Sequence, residues 1–531
     1  MLELLLIATL VVTLFYINCI KPMYHWRKLG IKSTPVVWIA GDNWGNALKL
    51  ESFADMVKRV YNQVPGARYS GMYQFTTPTL VIRDLELIKR ICVKDFDHFV
   101  DHRSFVSEEA DPTFGKNIFS LKGQRWRDTR PLLSRLFTNR KIKGMYILMT
   151  KCAESLTNHF SKQMNDIVEL DMRDASGRFT NDIIASTTIG VSVDSFKDPT
   201  NEYYLLGKRA TDFSSLVIRI KFFGFFLFPK LTTMLRVPLI DAQASKFFNK
   251  LMMKNIKMRR EKGIVRGDMI DVFLEAQKGK SREEENHEIY NGHASVEESD
   301  LNQNYIGKSA TTKLTDFDII AQAMEFYLAG FETTSSVITF MAYELMVNPD
   351  IQNRLRNEII KTLNDCNGTV TYEALLKMKY MDMVLAETLR KWPGAVSVDR
   401  LCTKPYTIEP VLPGEKPLHL AEGDIVLVPI FGLHRDPELF PDPERFDPER
   451  FNDENRGSIE PYSYLPFGVG PRNCIGNRFG LLSVKVLFFH LLKAFELVPV
   501  DKTEIPVRIS KSKFGVDPDG GLPLGLKKIG E

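Results

Sequence analysis

Residues 465–480 read LPFGVGPRNCIGNRFG and set a single cysteine where it could do chemistry. Two glycines and a proline precede Cys474, Gly476 follows, and an apolar helical run extends over Phe479–Leu492. A tight loop of this kind delivers one thiolate to the N-terminal end of a helix. The free N–H groups and the helix dipole there lower a thiol pKa and donate to a charged sulfur. A thiolate axial ligand on haem iron needs that arrangement, because its electron push favours O–O cleavage. A buried structural cysteine in a Gly-rich turn fits the same loop, and for a cysteine standing alone it is the ordinary reading.

A second candidate lies in AGFETT, Ala329–Thr334. Gly330 inside a helix costs about 1 kcal/mol relative to Ala, and Thr333 can bond back to a carbonyl and bend the axis. Glu332 in an otherwise apolar run is costly unless it meets water or a partner. One reading is close helix packing, which Gly and Ser/Thr pairs also ease. The other is a local opening where an acid and an alcohol hold water and deliver protons. Glu387 and Arg390, in ETLR, form a third element, three apart on a predicted helix flanked by Met383, Val384, Leu385 and Leu389. An exposed pair at that spacing contributes only a few tenths of a kcal/mol (~0.2–0.5).

Phe467, Gly470, Arg472, Cys474 and Gly476 together fit F-x-x-G-x-R-x-C-x-G, and the loop resembles the haem-binding signature of the cytochrome P-450 superfamily. The resemblance implies Cys474 as the proximal thiolate to iron and Arg472 as partner of a haem propionate. It implies Phe467 as a ring beside the sulfur, with Gly470 and Gly476 permitting the turn and the approach of the porphyrin. AGFETT is similar to the family's A-G-x-[D/E]-T-T element, with Glu332 and Thr333 as the acid–alcohol pair and Ala329, one turn earlier, over the haem beside substrate. ETLR resembles the family's E-x-x-R, which a later arginine joins in space. FPDPERFDPERF offers that arginine twice; Phe446 supplies the aromatic of F-x-P-E-R-F for the second copy, so Arg450 rather than Arg445 completes the triad. Trp126 and Arg130, in W-x-x-x-R, and Arg400 look like the family's haem-propionate contacts, though each arginine also suits a surface site with a packed stem. Phe105, Phe114 and Phe119, with Ala329, Val396 and Val398, fall in the family's substrate regions or in the core.

The elements that must position these residues are mainly helical. Thr315 with Asp318 reads as an N-cap with its acidic third residue. It opens an almost wholly apolar run to Asn348, where Pro349 stops it. Such a helix, about 50 Å long, must pass through the middle of a large protein. Further helices are readable at 179–192, 241–260, 350–364 and 381–391, and strands at Leu80–Arg83, Tyr406–Glu409 and Ile425–Pro429. The expected fold is mainly α with a small β region: one large helical haem-thiolate domain over 46–531, preceded by an N-terminal transmembrane helix.

That helix is expected within 1–21, where residues 4–20 are apolar and uncharged. They would span about 25 Å. Glu3 stands where a signal peptide carries positive charge, and Lys21, Arg27, Lys28 and Lys32 follow, so an uncleaved anchor with a cytosolic body is expected. Residues 22–45 read as a linker, with IKSTP in place of the family's Pro-Gly-Pro hinge. Residues 279–313 read as an exposed, mobile insert. Phe222–Pro229 (FFGFFLFP) is too short to cross a bilayer and suits either a core helix end or a patch dipping into a membrane surface.

Composition sets outer bounds. The 531 residues carry a formal charge of +4, which argues against a nucleic-acid binder. The six cysteines (Cys19, Cys92, Cys152, Cys366, Cys402 and Cys474) have no paired spacing, so a disulfide scaffold or zinc ribbon is not indicated. The resemblance implies electrons from NADPH, and because no nucleotide-binding glycine motif follows a strand, they are expected to arrive through a separate protein. The resemblance implies haem b as cofactor, NADPH–cytochrome P-450 reductase and cytochrome b5 as partners, a lipophilic substrate, and the endoplasmic-reticulum membrane as location. Lys122–Lys143 holds eight basic residues and one acid, a solvated face or a docking surface for an acidic electron donor. Within the family, the anchor, the PRNCIG wording and the linker resemble microsomal members of the xenobiotic- and steroid-oxidising group, most like insect detoxification members, which implies oxidation of xenobiotics such as insecticides and plant toxins. The alternatives are a biosynthetic oxidase or isomerase of a hormone, steroid or fatty acid, and a haem-binding protein without turnover.

Overall fold

A helix of 32 residues, Asp316–Val347, forms the axis of the protein. Its start is set locally: the Thr315 hydroxyl accepts from the Asp318 N–H at 3.1 Å, and the Asp318 carboxylate accepts from the Thr315 N–H at 2.9 Å. This reciprocal cap satisfies two donors that a helix end otherwise leaves open. Twenty-two of its residues are buried, as an all-apolar helix requires. Pro349 does not simply stop it; it opens the next helix, Pro349–Asp365, where a first-turn proline costs no hydrogen bond.

The computed structural model describes residues 1–35, 37–277 and 314–529. The principal helices, in chain order, are α1 (Leu2–Phe15), α2 (Gly123–Ser134), α3 (Asn139–Ser161), α4 (Met172–Ile184), α5 (Leu216–Leu227), α6 (Asp316–Val347), α7 (Lys379–Lys391) and α8 (Asn477–Ala494). Helix α6 packs most extensively on α4 and also touches α7 and α8, so the three elements carrying AGFETT, ETLR and the cysteine loop share one core. Phe340 of α6 stacks on Trp392, just past α7, with ring centroids 4.2 Å apart.

Among the described residues nine strands, β1 (Tyr69–Gln74), β2 (Thr77–Ile82), β3 (Ile167–Asp171), β4 (Val398–Leu401), β5 (Tyr406–Ile408), β6 (Leu418–Leu420), β7 (Ile425–Val428), β8 (Phe495–Val498) and β9 (Pro523–Lys528), form three small sheets. Their orders are β1-β2-β7-β4, β3-β9-β8 and β5-β6. β2 and β7 run parallel, with Leu80 opposite Val426, and the other pairs are antiparallel. The mainly helical expectation with minor sheet matches this architecture.

The N-terminus differs from expectation. Helix α1 covers 14 residues, and a π-helical turn (Tyr16–Ile20) and a 3₁₀ turn (Lys21–Tyr24) follow it. Among the described residues no helix is long and apolar enough to cross a membrane. The end of the apolar run turns onto the body instead, where Cys19 and Met23 are buried. The stretch read as a linker is also packed. Trp26 is 2% exposed, its indole N–H donates to the Met72 carbonyl at 2.9 Å, and its ring fills the space beside Gly71, where a Cβ would lie 2.3 Å from it. Asp42 accepts from the Tyr73 N–H at 2.8 Å and from the Thr34 hydroxyl at 2.7 Å. The insert at 279–313 lies outside the described residues.

Candidate active site

The cysteine loop closes on itself through two backbone bonds: Asn473 N–H to the Gly470 carbonyl at 2.9 Å, and Cys474 N–H to the Phe467 carbonyl at 2.8 Å. Phe467 packs half-buried against the main core. Gly470 sits at φ +77°, and a Cβ there would lie 1.9 Å from the Cys92 carbonyl oxygen. Both the left-handed angle and that backbone contact exclude a side chain. Gly470→Ala is therefore expected to displace the loop and cut haem incorporation several-fold, read as haem absorbance per protein. Gly476 is different: its φ is −94°, and a Cβ there would come no nearer than 3.9 Å to Phe137. The chain's own packing does not demand glycine here, and space is left beside the sulfur.

Cys474 is exposed although the loop and α8 around it belong to the core. Ala329 and Thr333 are likewise exposed in the middle of the otherwise buried α6. Residues this deep stay accessible only where the interior is hollow. α8 leads back to α6, since a Cβ at Gly480 would meet the Thr334 hydroxyl at 3.9 Å. On the Cys474 thiol the expectation needs correction. The Gly476 N–H favours the thiolate as foreseen, and the Arg130 charge adds to it, but burial outweighs them and holds the thiol above its ordinary value. Helix-end donors stabilise a charge; they do not replace lost water.

Three arginines surround this hollow. Arg472 donates to the carbonyls of Val100 at 2.8 Å, Ile118 at 3.1 Å and Leu121 at 2.7 Å, and lies 3.4 Å from the Asp101 carboxylate. Its guanidinium sits over the Trp126 ring, 4.2 Å from the centroid. Arg130, one turn after Trp126 on α2, donates to the Asn473 carbonyl and side chain at 3.0 and 2.8 Å. Arg400 on β4 is buried, donates to the Asp399 and Val469 carbonyls at 2.8 and 3.3 Å, and leaves its buried Nε without a hydrogen-bond partner. Burial, then Arg400 and Arg130, press Arg472 down to about 9. Such crowding of cations calls for anionic company. Sequence reasoning missed His102, which meets Asp399 at 3.1 Å and stacks on Phe119 at 4.7 Å; burial, with Arg400 and Arg472, lowers its pKa against the pull of Asp399.

AGFETT divides into two halves. The Thr333 hydroxyl donates back to the Ala329 carbonyl at 2.7 Å. The Glu332 carboxylate turns instead to Arg173 of α4, which also binds Asp517 and donates to the Ser335 hydroxyl at 2.9 Å. Burial opposes the charge of Arg173, but Glu332 and Asp517 together raise its pKa above the ordinary value. The acid is thus answered by a cation from another helix rather than by the neighbouring alcohol. No local signal in the sequence marks a partner 159 positions away.

Glu387 and Arg390 are both fully buried and meet through two bonds, Nε to Oε2 at 2.7 Å and Nη2 to Oε1 at 2.8 Å. Arg390 also donates to the His434 carbonyl at 2.8 Å, and Glu387 accepts from the Asp447 N–H at 2.9 Å. Arg450 approaches Glu387 at 3.5 Å, with its side chain 13% exposed. Arg445 points outward, 68% exposed, 3.9 Å from Asp447.

Of the pocket candidates, Phe105 meets Phe222 and Phe226 of α5 at 6.5 and 5.3 Å, and Phe114 is half-buried against the small cluster that holds Val106 and Phe225. This aromatic roof was only partly foreseen, because α5 and the 105–119 segment are far apart in sequence. Val396 belongs elsewhere: it is core, packed with Phe340, Trp392 and Phe431. Val398 is half-buried and pairs across the sheet with Val428. In the basic run, Arg125, Arg127, Lys141 and Lys143 already pair with Glu108, Asp97, Glu275 and Glu373.

The site therefore offers one thiol in a hollow, open space beside it, and crowded buried cations with an orphaned Nε at its rim. These features fit a flat group with a metal at its centre and acids at its edge, the chemistry of haem. Comparison with known proteins agrees. The family model described as Cytochrome P450 matches residues 39–523. The chain is 41% identical to Cytochrome P450 9e2 of Blattella germanica over 519 residues, covering 95% of this chain and 93% of the relative. It is 36% identical to Cytochrome P450 9b2 of Drosophila melanogaster over 486 residues, 90% of each chain. Its identity to Cytochrome P450 6k1 of Blattella germanica is 31% over 525 residues, covering 99% and 97%.

Proposed function

Because this chain belongs to the cytochrome P450 family, and is thereby a haem-thiolate monooxygenase, we propose that it oxidises lipophilic foreign compounds such as plant toxins and insecticides, with electrons drawn from NADPH through a separate flavin reductase. The observation that carries this reading is the internal exposure of Cys474, Ala329 and Thr333 in an otherwise buried core. The bound haem supplies the one-electron chemistry and the activation of dioxygen. Cys474 would hold its iron, and Arg130, Arg400 and Arg472 with Trp126 would hold its acidic edge. Phe105, Phe114 and the α5 rings bind apolar substrate by contact and exclude water. Ala329 leaves room where a larger side chain would intrude. Thr333 holds a proton at Oγ1 on the same wall. Glu332 reaches that proton only if its carboxylate exchanges Arg173 for water.

On this reading Thr333→Ala lowers substrate oxidation about 100-fold, the smaller end of what a positioned proton donor contributes. Product formation measured against NADPH consumed checks it; unchanged product yield would leave the hydroxyl a helix-packing group.

Membrane attachment belongs to the same proposal. Leu4, Leu5, Leu6 and Leu10 of α1 are exposed, and so are Leu216, Val217, Ile220 and Phe223 on α5. Apolar surface of this extent partitions to a lipid interface. The basic residues after α1 favour a cytosolic body at the endoplasmic reticulum, with the apolar N-terminus as its anchor.

Incubation in labelled dioxygen tests the function. Membranes holding the protein, NADPH and a reductase receive a panel of toxins, terpenoids, steroids and fatty acids, and products are read by mass. Singly labelled products from several unrelated toxins are expected. A single labelled product from one hormone-like compound would make it a biosynthetic oxidase. An unlabelled rearranged product would make it an isomerase.

A further inference from the structure

Two carboxylates share one arginine beside AGFETT. Arg173, near the start of α4, donates from Nε to Asp517 and from Nη2 to Glu332, while Nη1 donates to the Ser335 hydroxyl at 2.9 Å. Nε and Nη2 form one edge of a guanidinium, an edge suited to grip both oxygens of a single carboxylate. Arg390 uses it in that way on Glu387, through bonds of 2.7 and 2.8 Å. On Arg173 the same edge is divided, so Glu332 is held at one point where Glu387 is held at two.

The C-terminal segment fixes Asp517 on its half of that edge. The Ser336 hydroxyl of α6 donates to the Val516 carbonyl, and the Ser510 N–H donates to the Asp517 carbonyl at 2.7 Å. Lys513, another cation of this segment, pairs with Asp212 at 3.6 Å. Burial raises the Asp517 carboxyl and Arg173 pulls it back, with Glu332 adding to the rise. The Asp517 side chain is 9% exposed and that of Glu332 28%, so Glu332 is the carboxylate that water can draw away.

We propose that Asp517 is a positioning residue for the distal acid: by occupying half of the Arg173 edge, it keeps Glu332 singly held and able to turn toward Thr333. The inference rests on the reading of Glu332 as the acid behind the Thr333 hydroxyl. Without Asp517 the edge closes on both Glu332 oxygens, and the acid stays with the arginine.

The test is Asp517→Asn, with Asp517→Ser read in its place if the amide does not load haem. Product formed per NADPH consumed is expected to fall about tenfold, the effect of one added charge-assisted hydrogen bond on Glu332. Hydrogen peroxide accounts for the balance, and Asp517→Glu restores the wild-type yield. In a Glu332→Gln background no carboxylate remains to be trapped, so Asp517→Asn is expected to bring no further loss. Equal losses in both backgrounds overturn the proposal, because Asp517 then acts only by holding the C-terminal segment. An unchanged yield in Asp517→Asn overturns it as well. Full yield in Glu332→Gln alone instead sinks the reading of Glu332, and the proposal falls with it. Heating gives a readout apart from turnover. Glu332→Gln is expected to shorten the half-life of the haem band several-fold more in Asp517→Asn than in the wild type, since Arg173 then has no second carboxylate; equal shortening would refute the shared edge.

Discussion

Replacing Cys474 with alanine removes the thiolate-type Soret band of the reduced carbon monoxide complex and abolishes oxygen insertion. Cys474→Ser is expected to fare little better, since an alkoxide is a poorer electron donor to iron than a thiolate. Retention of the thiolate-type band in the alanine variant would overturn the ligand assignment. The raised thiol pKa adds a condition that the sequence concealed. Burial disfavours a free thiolate here, and metal ligation is what makes the charge affordable.

Arg390→Ala is expected to be the most damaging change outside the haem loop. It would leave the Glu387 carboxylate fully buried with only the Arg450 approach at 3.5 Å and the Asp447 N–H. Breaking a buried pair in this way costs about 3–5 kcal/mol, a large part of a typical folding stability of roughly 5–15 kcal/mol. The readouts are soluble yield, haem content and the half-life of thermal inactivation. Arg445→Ala is the internal comparison: its exposed pair contributes about 0–1 kcal/mol, so it should behave as wild type. Arg450→Ala should fall between them. Equal effects from the Arg445 and Arg450 variants would remove the distinction that the fold draws between the two PERF copies.

Local chemistry was legible in the sequence. The cap at Thr315 and Asp318 is a contact across three residues, and it starts α6 where the sequence says. Gly470 announces a backbone angle by its own composition. Arg450 was separable from Arg445 because an aromatic precedes it at the right distance. Contacts across long separations were not legible in this way. Arg173 answers Glu332 from another helix, His102 meets Asp399 from a distant loop, and the α5 rings close over Phe105 only in three dimensions. Val396 shows the same limit from the other side, since nothing local distinguishes a core valine from one in a pocket.

Trp26, wedged beside Gly71 and bonded to Met72, removes the swivel from the N-terminal segment. A body on a free tether would tumble and present every face to its surroundings in turn. On the proposed membrane attachment, this joint would transmit orientation as well as position from α1 to the body. A greasy compound dissolved in the membrane would then meet the same face of the body at every encounter. Loosening this joint, as by Trp26→Ala, would lower capture of membrane-dissolved substrate more than that of water-soluble substrate, even with the catalytic core untouched.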